Sequence, residues 1–267
     1  MTLSLFDRPA VLFLPASRAS AIDKARQSAA DLVILDLEDA VKPEDKEAAR
    51  AAAITAVAGD WPMPVAIRVN GSGMRWHQED VEAVADSRAA LAILPSVHSA
   101  DEVSAVKRKL GKPLAAMIET PGAVLDAPFI ARAADALIVG TNDLAAGLRL
   151  PAGAGRAPMM HALQGAVLAA RAAGIPVFDG VFNRLDDAEG FATEAAEGRM
   201  LGFDGKTLIH PDQIAPCHAA FAPTAAELDR ARRLVDAASG GAERFEGAMV
   251  EAMHVDAARR LLERGQR

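Results

Sequence analysis

Residues 32–39 read Leu-Val-Ile-Leu-Asp-Leu-Glu-Asp, an apolar run that ends in acid. The run is continuous rather than alternating, the pattern of a strand covered on both faces, as in a parallel sheet flanked by helices. The same pattern recurs on either side of it. Apolar runs at 11–14, 65–69, 91–94, 114–118, 136–139, 175–178 and 207–209 alternate with Ala-rich amphipathic stretches at 19–30, 43–58, 78–87, 99–110, 159–173 and 186–199. Further helices open at Pro121 and Pro211. Pro43, followed by Glu44 and Asp45, suits a first helical turn, where the missing N–H costs nothing and the acids meet the positive end of the dipole. Ser99 is placed to cap the helix that follows it. Strand and helix alternate through the chain with no antiparallel hairpin signal, which predicts a closed (β/α)₈ TIM barrel over residues 1–222. A doubly wound open sheet is the competitor, but Pro-Ala-Ser-Arg-Ala-Ser (15–20) stands where its Gly-rich turn would follow the first strand.

The bulk numbers agree with one large core. The chain has 267 residues, of which 51% are hydrophobic, and a net charge of −7. An acidic protein is a poor partner for nucleic acid or anionic lipid, yet its site can still be locally basic. A single cysteine, Cys217, rules out an intramolecular disulfide. It reads as a small hydrophobe rather than a nucleophile, because neighbouring side chains on a helix diverge and His218 would point elsewhere. No secretion signal opens the sequence and no apolar run is long enough to span a bilayer, so a cytoplasmic protein is expected. Beyond residue 222 the pattern changes. Thr224 and Glu227 form a capping-box pair, Gly240 and Gly241 interrupt the chain, and a last helix is predicted over 255–264. Residues 223–267 therefore read as a short C-terminal helical extension, packed on the barrel or reaching a neighbouring subunit.

The charges at the strand ends carry the chemistry. Asp36, Glu38 and Asp39 close the second strand, Arg68 the third and Glu119 the fifth, while the sixth runs into Asp143. In a barrel all C-terminal strand ends open on one mouth, so these groups converge. Several carboxylates with one arginine repel one another unless a cation joins them. Mg²⁺ suits the set, since it takes one or two carboxylates and fills its octahedron with water and substrate oxygens. Glu119 and Asp143 are the expected metal ligands, and Glu38 and Asp39 the expected holders of metal-bound water. Simpler readings stand beside these: Glu119 as a helix-start carboxylate, Asp143 as an N-cap, and Glu38 or Asp39 paired with Arg68 or Lys42. Arg68 would grip a substrate carboxylate or oxyanion, or else serve as a structural ion pair with Glu38. Lys206 and His210 bracket the eighth strand, either contacting a phosphate or lying at the barrel bottom.

Six segments then stand in a telling order: LFLPASR (12–18), DLEDAV (36–41), RVN (68–70), IETP (118–121), GTNDLA (140–145) and GFDGKTLIHPDQI (202–214). Together they resemble the HpcH/HpaI aldolase/citrate lyase family, in its branch of citrate lyase β-subunits and malyl- or citramalyl-CoA lyases. The resemblance implies a TIM barrel, Mg²⁺ and a homotrimer or hexamer. It matches Glu119 and Asp143 to the metal ligands, Glu38 and Asp39 to the acidic pair nearby, and Arg68 to the carboxylate-binding arginine. It also assigns Pro15 and Arg18 to the CoA or carrier arm. The tail GAMVEAMHVDAARRLL (247–262) resembles a C-terminal motif that supplies an acid/base to the neighbouring subunit. Here that position is Glu251 rather than aspartate, and Met253 stands where proline is usual.

The expected activity is Mg²⁺-dependent cleavage or formation of a 3-hydroxy-acid thioester, of citramalyl, malyl or citryl type, giving a 2-oxo acid and an acyl-CoA. The expected partners are an oxo acid and a CoA or acyl-carrier thioester. Two alternatives are carried with it. One is a CoA-independent class II aldolase acting on pyruvate, which needs a histidine base at the mouth. The other is a non-catalytic oxo-acid-binding subunit of a carrier-protein complex.

Overall fold

The computed structural model describes residues 4–265, which fall into two compact units divided between Ala220 and Phe221. The first unit is the expected closed barrel. Its strands are β1 (Ala10–Pro15), β2 (Leu32–Asp36), β3 (Val65–Arg68), β4 (Leu91–Leu94), β5 (Leu114–Ile118), β6 (Ala136–Val139), β7 (Val177–Asp179) and β8 (Gly205–Leu208), all parallel, each hydrogen-bonded to the next, and β8 to β1. Around them run α1 (Ala19–Arg26), α2 (Lys46–Ala58), α3 (His77–Ala85), α4 (Ala100–Leu110), α5 (Pro121–Ala133), α6 (Thr141–Gly147), α7 (Met160–Ala173), α8 (Ala188–Leu201) and α9 (Ile214–Phe221). Among the described residues no helix is long and apolar enough to cross a membrane.

The caps behave as the residue types demand. Ser99 accepts the N–H of Glu102 at 3.2 Å, and Thr120 accepts that of Ala123 at 3.1 Å. Several boundaries shift by a few residues from expectation, and two of the shifts have plain local reasons. The first helix stops at Arg26 because the Ser28 hydroxyl bonds Ala25 O (2.7 Å), turning the chain. β7 begins at Val177 rather than 175, because Gly174 caps α7 in the left-handed region and Ile175 donates back to Ala170 (3.0 Å). α6 was not foreseen. It places Asp143 in a first turn begun by Gly140, so Asp143 is not the cap.

Inside the barrel, inward-facing residues of β1 to β7 fill the core: Val11, Leu32, Ile34, Ala66, Leu91, Ile93, Ala115, Met117, Ala136, Ile138 and Phe178 are buried together. This parity decides which residue of each strand end faces inward.

The second unit holds α10 (Ala225–Ala237), a hairpin of β9 (Glu243–Phe245) and β10 (Ala248–Val250), and α11 (Ala252–Arg264), around a small core of Ala231, Leu234, Val250 and Ala258. The Thr224–Glu227 capping box is present. The hairpin escapes a reading by residue type because its turn uses Glu246 and Gly247, both at positive φ (49° and 84°), where asparagine or aspartate usually precedes the glycine.

Candidate active site

Counting two residues on from the last core layer gives the floor of the mouth. Ile34 leads to Asp36, Ala66 to Arg68, Met117 to Glu119, Ile138 to Gly140 and Phe178 to Gly180. Apolar layers thus give way to a rung of charges and glycines. Asp36, Arg68, Glu119 and Gly140, with Pro15, Asp39, Asp143 and Thr207, border one mouth and line a single cavity of about 340 Å³. The glycine that follows β6 is obligatory, since a Cβ at 140 would run into the Glu119 side chain.

Asp36 and Arg68 are cross-strand neighbours, aligned in the β2–β3 register. Arg68 donates Nε and Nη2 to the two oxygens of Asp36, each at 2.6 Å. The same oxygens accept the N–H groups of Glu38 and Ala40, both at 2.9 Å, so Asp36 is fully engaged. Arg68 Nη1 lies 2.7 Å from Glu38 Oε2 and 3.6 Å from Asp39 Oδ2, while the guanidinium sits over the Phe13 ring. The structural pair with Glu38 and a ligand-binding role are therefore compatible: the Nη1–Nη2 end is what remains for a ligand. Burial opposes the charge of Arg68, but Asp36, Glu38 and Asp39 outweigh it and hold the group firmly protonated. Asp36 was not singled out beforehand. Parity along Leu32, Ile34 and Asp36 is the signal that finds it.

Glu119 is buried, with 1% of its surface exposed. Its Oε1 accepts both the backbone N–H and the hydroxyl of Ser96, whose φ of 48° is a left-handed conformation rare for serine. Oε2 is buried without any partner. Burial raises the Glu119 pKa, against the Ser96 hydrogen bond and Arg68, and Asp143 raises it further. Burial and then Asp39 raise the Asp143 pKa. Glu38 goes furthest: burial, against Arg68 but helped by Asp39, Glu119 and Asp36, takes its pKa to about 8. Three acids held toward protonation around an orphaned oxygen are a site short of positive charge. A divalent cation that takes few carboxylates fits this set. Among the described residues no group of three or more His, Cys, Asp or Glu side chains is arranged as a cage, whereas Mg²⁺ needs only one or two.

The remaining candidates separate. Pro15 lines the cavity. Arg18 is an exposed residue preceding α1 and is not among the lining residues. Glu38 faces an adjoining hollow with Lys46, Asn70 and Ser96, and Asp39 borders both spaces. Glu251 belongs to the second unit, where its N–H meets His254 Nδ1 at 2.9 Å ahead of α11. Lys206 matches neither of its two readings. Its neighbour Thr207 lines the cavity, so Lys206 points the other way, into a buried network with Asp179 (2.9 Å), Glu194 (2.7 Å) and Gly180 O (2.6 Å). His210 instead accepts the N–H of Asp212 at 3.3 Å. Cys217 is buried against Pro9 O, and burial raises its thiol to about 12, so it is no nucleophile at neutral pH. His218 turns away to Asp31 at 2.7 Å.

Comparison with known proteins shows what the chain as a whole resembles. The family model described as HpcH/HpaI aldolase/citrate lyase matches residues 9–211. A (3S)-malyl-CoA thioesterase of Cereibacter sphaeroides (strain KD131 / KCTC 12085) is 39% identical over 96% of this chain and 94% of its own. Citrate lyase subunit beta of Escherichia coli (strain K12) is 32% identical over 97% of this chain and 93% of its own. Among solved structures, the protein CitE of Mycobacterium tuberculosis in complex with magnesium, acetoacetate and coenzyme A superposes with a TM-score of 0.88, at 33% identity, covering 98% of this chain and all of the other.

Proposed function

The chain belongs to the HpcH/HpaI aldolase/citrate lyase family, and from that premise we propose that it is a Mg²⁺-dependent carbon–carbon lyase. Its substrate is a 3-hydroxy-acid thioester of CoA or a carrier protein, cleaved to a 2-oxo acid and an acyl thioester. The observation that carries the reading is Glu119, buried, with Oε1 held by Ser96 and Oε2 unpartnered beside Asp143 and Arg68. In that reading Glu119 and Asp143 hold the metal, with Glu38 and Asp39 behind them. Bound Mg²⁺ supplies Lewis acidity and a template for the substrate's oxygens. The Nη1–Nη2 end of Arg68, fixed in plane by Asp36, takes the carboxylate of the oxo acid and stabilises charge on its oxygen as the C–C bond breaks. Pro15 and Arg18 meet the thioester arm.

Cleavage needs one proton removed from the 3-hydroxyl and one delivered to the departing α-carbon. We assign that transfer to Glu251 of a neighbouring copy, in a homotrimer or hexamer. Exposed apolar side chains support such an assembly: Leu125 (77% exposed) and Phe129 (59%) lie one turn apart on α5, and Leu168 (67%) is on α7, which packs beside it.

A second reading is favoured by the 39% identity to a protein named a thioesterase: hydrolysis of the thioester with the carbon skeleton intact. The CoA-independent aldolase needs a histidine base, and among the described residues no histidine lines the cavity. Incubating malyl-, citramalyl- and citryl-CoA with purified protein and Mg²⁺, with and without EDTA, distinguishes the outcomes. A lyase releases an oxo acid and an acyl-CoA, whereas a thioesterase releases free CoA and the intact hydroxy acid. Undiminished turnover by Glu119→Ala would remove the metal assignment.

A further inference from the structure

A second cavity of about 590 Å³ adjoins the one that holds Glu119 and Asp143. Thr141, Asn142, Val181 and Asn183 line both, so they are the wall the two spaces share. Paired amides complete that wall: Asn183 Nδ2 donates to Asn142 Oδ1 at 2.6 Å, and Asn142 Nδ2 to Asn183 Oδ1 at 3.4 Å. Side-chain amides on a short loop and a helix turn can part without unfolding either element. The far side is the Gly- and Pro-rich loop, which over residues 151–155 carries nothing larger than proline, with Gly153 and Gly155 at positive φ (79° and 67°). Small side chains leave this space open, and it is lined mainly by apolar atoms of residues such as Leu150 and Met159.

The charged residues that border the space are already paired. Arg156 lies 3.1 Å from Asp179, 3.2 Å from Glu194 and 2.8 Å from Glu197, and Arg184 lies 2.6 Å from Asp187. Asp179, Glu194 and Glu197 together outnumber Arg156 and Lys206, so a second substrate carboxylate brought here meets surplus negative charge. Arg156 Nη2 is without a hydrogen-bond partner, but its guanidinium already faces the three carboxylates of Asp179, Glu194 and Glu197.

Resting on the lyase reading, we propose that this side cavity receives an uncharged, apolar substituent on the 2-oxo acid half of the substrate. The enzyme then acts on thioesters built from 2-oxo acids longer than pyruvate. In the synthetic direction the α-carbon of an acyl thioester bonds to the oxo carbon, and the α-proton is replaced by one on the new hydroxyl. The substituent takes no part and only fills the cavity.

The experiment is a chain-length series. Pyruvate, 2-oxobutanoate, 2-oxopentanoate, 2-oxohexanoate and 2-oxoglutarate are condensed with acetyl-CoA in the presence of Mg²⁺, and binding of each acid is measured by calorimetry. The expected result is a rise of about fourfold in kcat/KM and in affinity per added methylene, with 2-oxoglutarate falling well below 2-oxopentanoate. Ala154→Leu, in the loop, should abolish the rise and leave pyruvate unchanged. Rates that fall with chain length, or an Ala154→Leu loss equal for short and long acids, overturn the side-cavity inference while the lyase reading stands. No reaction and no binding with any acid, pyruvate included, overturns both.

Discussion

Two of the buried charge clusters near the barrel's strand ends, those of Lys206 and Arg68, have opposite characters. Around Lys206 the ammonium and the carboxylate it meets are fully engaged: Lys206 touches Asp179, Glu194 and Gly180 O, and Asp179 also accepts from Arg156 and the Gly180 N–H, with only Arg156 Nη2 left over at the edge. Around Arg68 the anchoring half is equally complete, with all of Asp36 engaged, but the other half is not. Glu119 keeps an oxygen in reserve, and Glu38, Glu119 and Asp143 are all pushed toward protonation. Both clusters are buried, charged and at the same level of the barrel. What separates them is strand parity, which turns one outward against α8 and the other inward to the mouth. What marks the inward cluster is a buried carboxylate oxygen without a partner, among acids that are all pushed toward protonation.

The largest test of that distinction is Glu119→Gln. It should lower kcat/KM by about a thousandfold or more and abolish Mg²⁺ binding by calorimetry. The unfolding midpoint in EDTA should stay put or rise, because an unpaired buried acid has been removed. Lys206→Met should do the reverse, costing about 3–5 kcal/mol, a fall of roughly 6–20 °C in the unfolding midpoint, while the molecules that remain folded keep their activity. If Lys206→Met instead kills turnover with little loss of stability, the two clusters are not the two kinds described.

Asp36→Asn comes next. It leaves Arg68 in place but loosens its plane, and a loss of about 10–100-fold in kcat/KM is expected, mainly through KM for the oxo acid. The pH dependence follows from the raised acids. In the metal-free protein Glu38 binds its proton up to about pH 8, whereas in the unfolded chain it releases it near the ordinary value of 4.5. The folded state therefore holds more protons between these limits, and metal-free stability should fall as pH rises through them. Mg²⁺ displaces those protons, so its affinity should rise over the same window, and saturating Mg²⁺ should flatten the stability profile. Calorimetric titrations from pH 5 to 9 check both slopes. The smallest effect is expected for Ser96→Gly: relief of the left-handed conformation offsets loss of the hydroxyl, and the N–H that holds Oε1 belongs to the backbone. Mg²⁺ affinity should stay within about threefold, and stability within about 1 kcal/mol.

Much of this was legible in the order of residues. Continuous apolar runs announced a parallel sheet, and acids at their ends announced the mouth, because both follow from local burial. Arg68, Glu119 and Asp143 could be named since each stands at or shortly after the end of an unmistakable run. Asp36 was passed over in favour of the more conspicuous Glu38 and Asp39, although Leu32 and Ile34 fix its inward direction. Lys206 could not be placed from its run alone, because its direction depends on the parity of a strand of four residues, Gly205–Leu208, with little apolar pattern to read. The Ser96 hold on Glu119 links residues 23 apart through a backbone N–H, a contact with no signature in residue type. The β9–β10 hairpin was hidden by a glutamate in a turn position that usually signals itself with asparagine.

Gly140 carries a consequence for any chain of this architecture. One added carbon there would evict a carboxylate rooted just beyond a different strand, so positions 119 and 140 occupy a single parcel of volume and can only change in concert. A descendant that acquired alanine at position 140 would have surrendered the acid opposite before any acid had mutated. The search for members that have lost this chemistry should begin at the glycine.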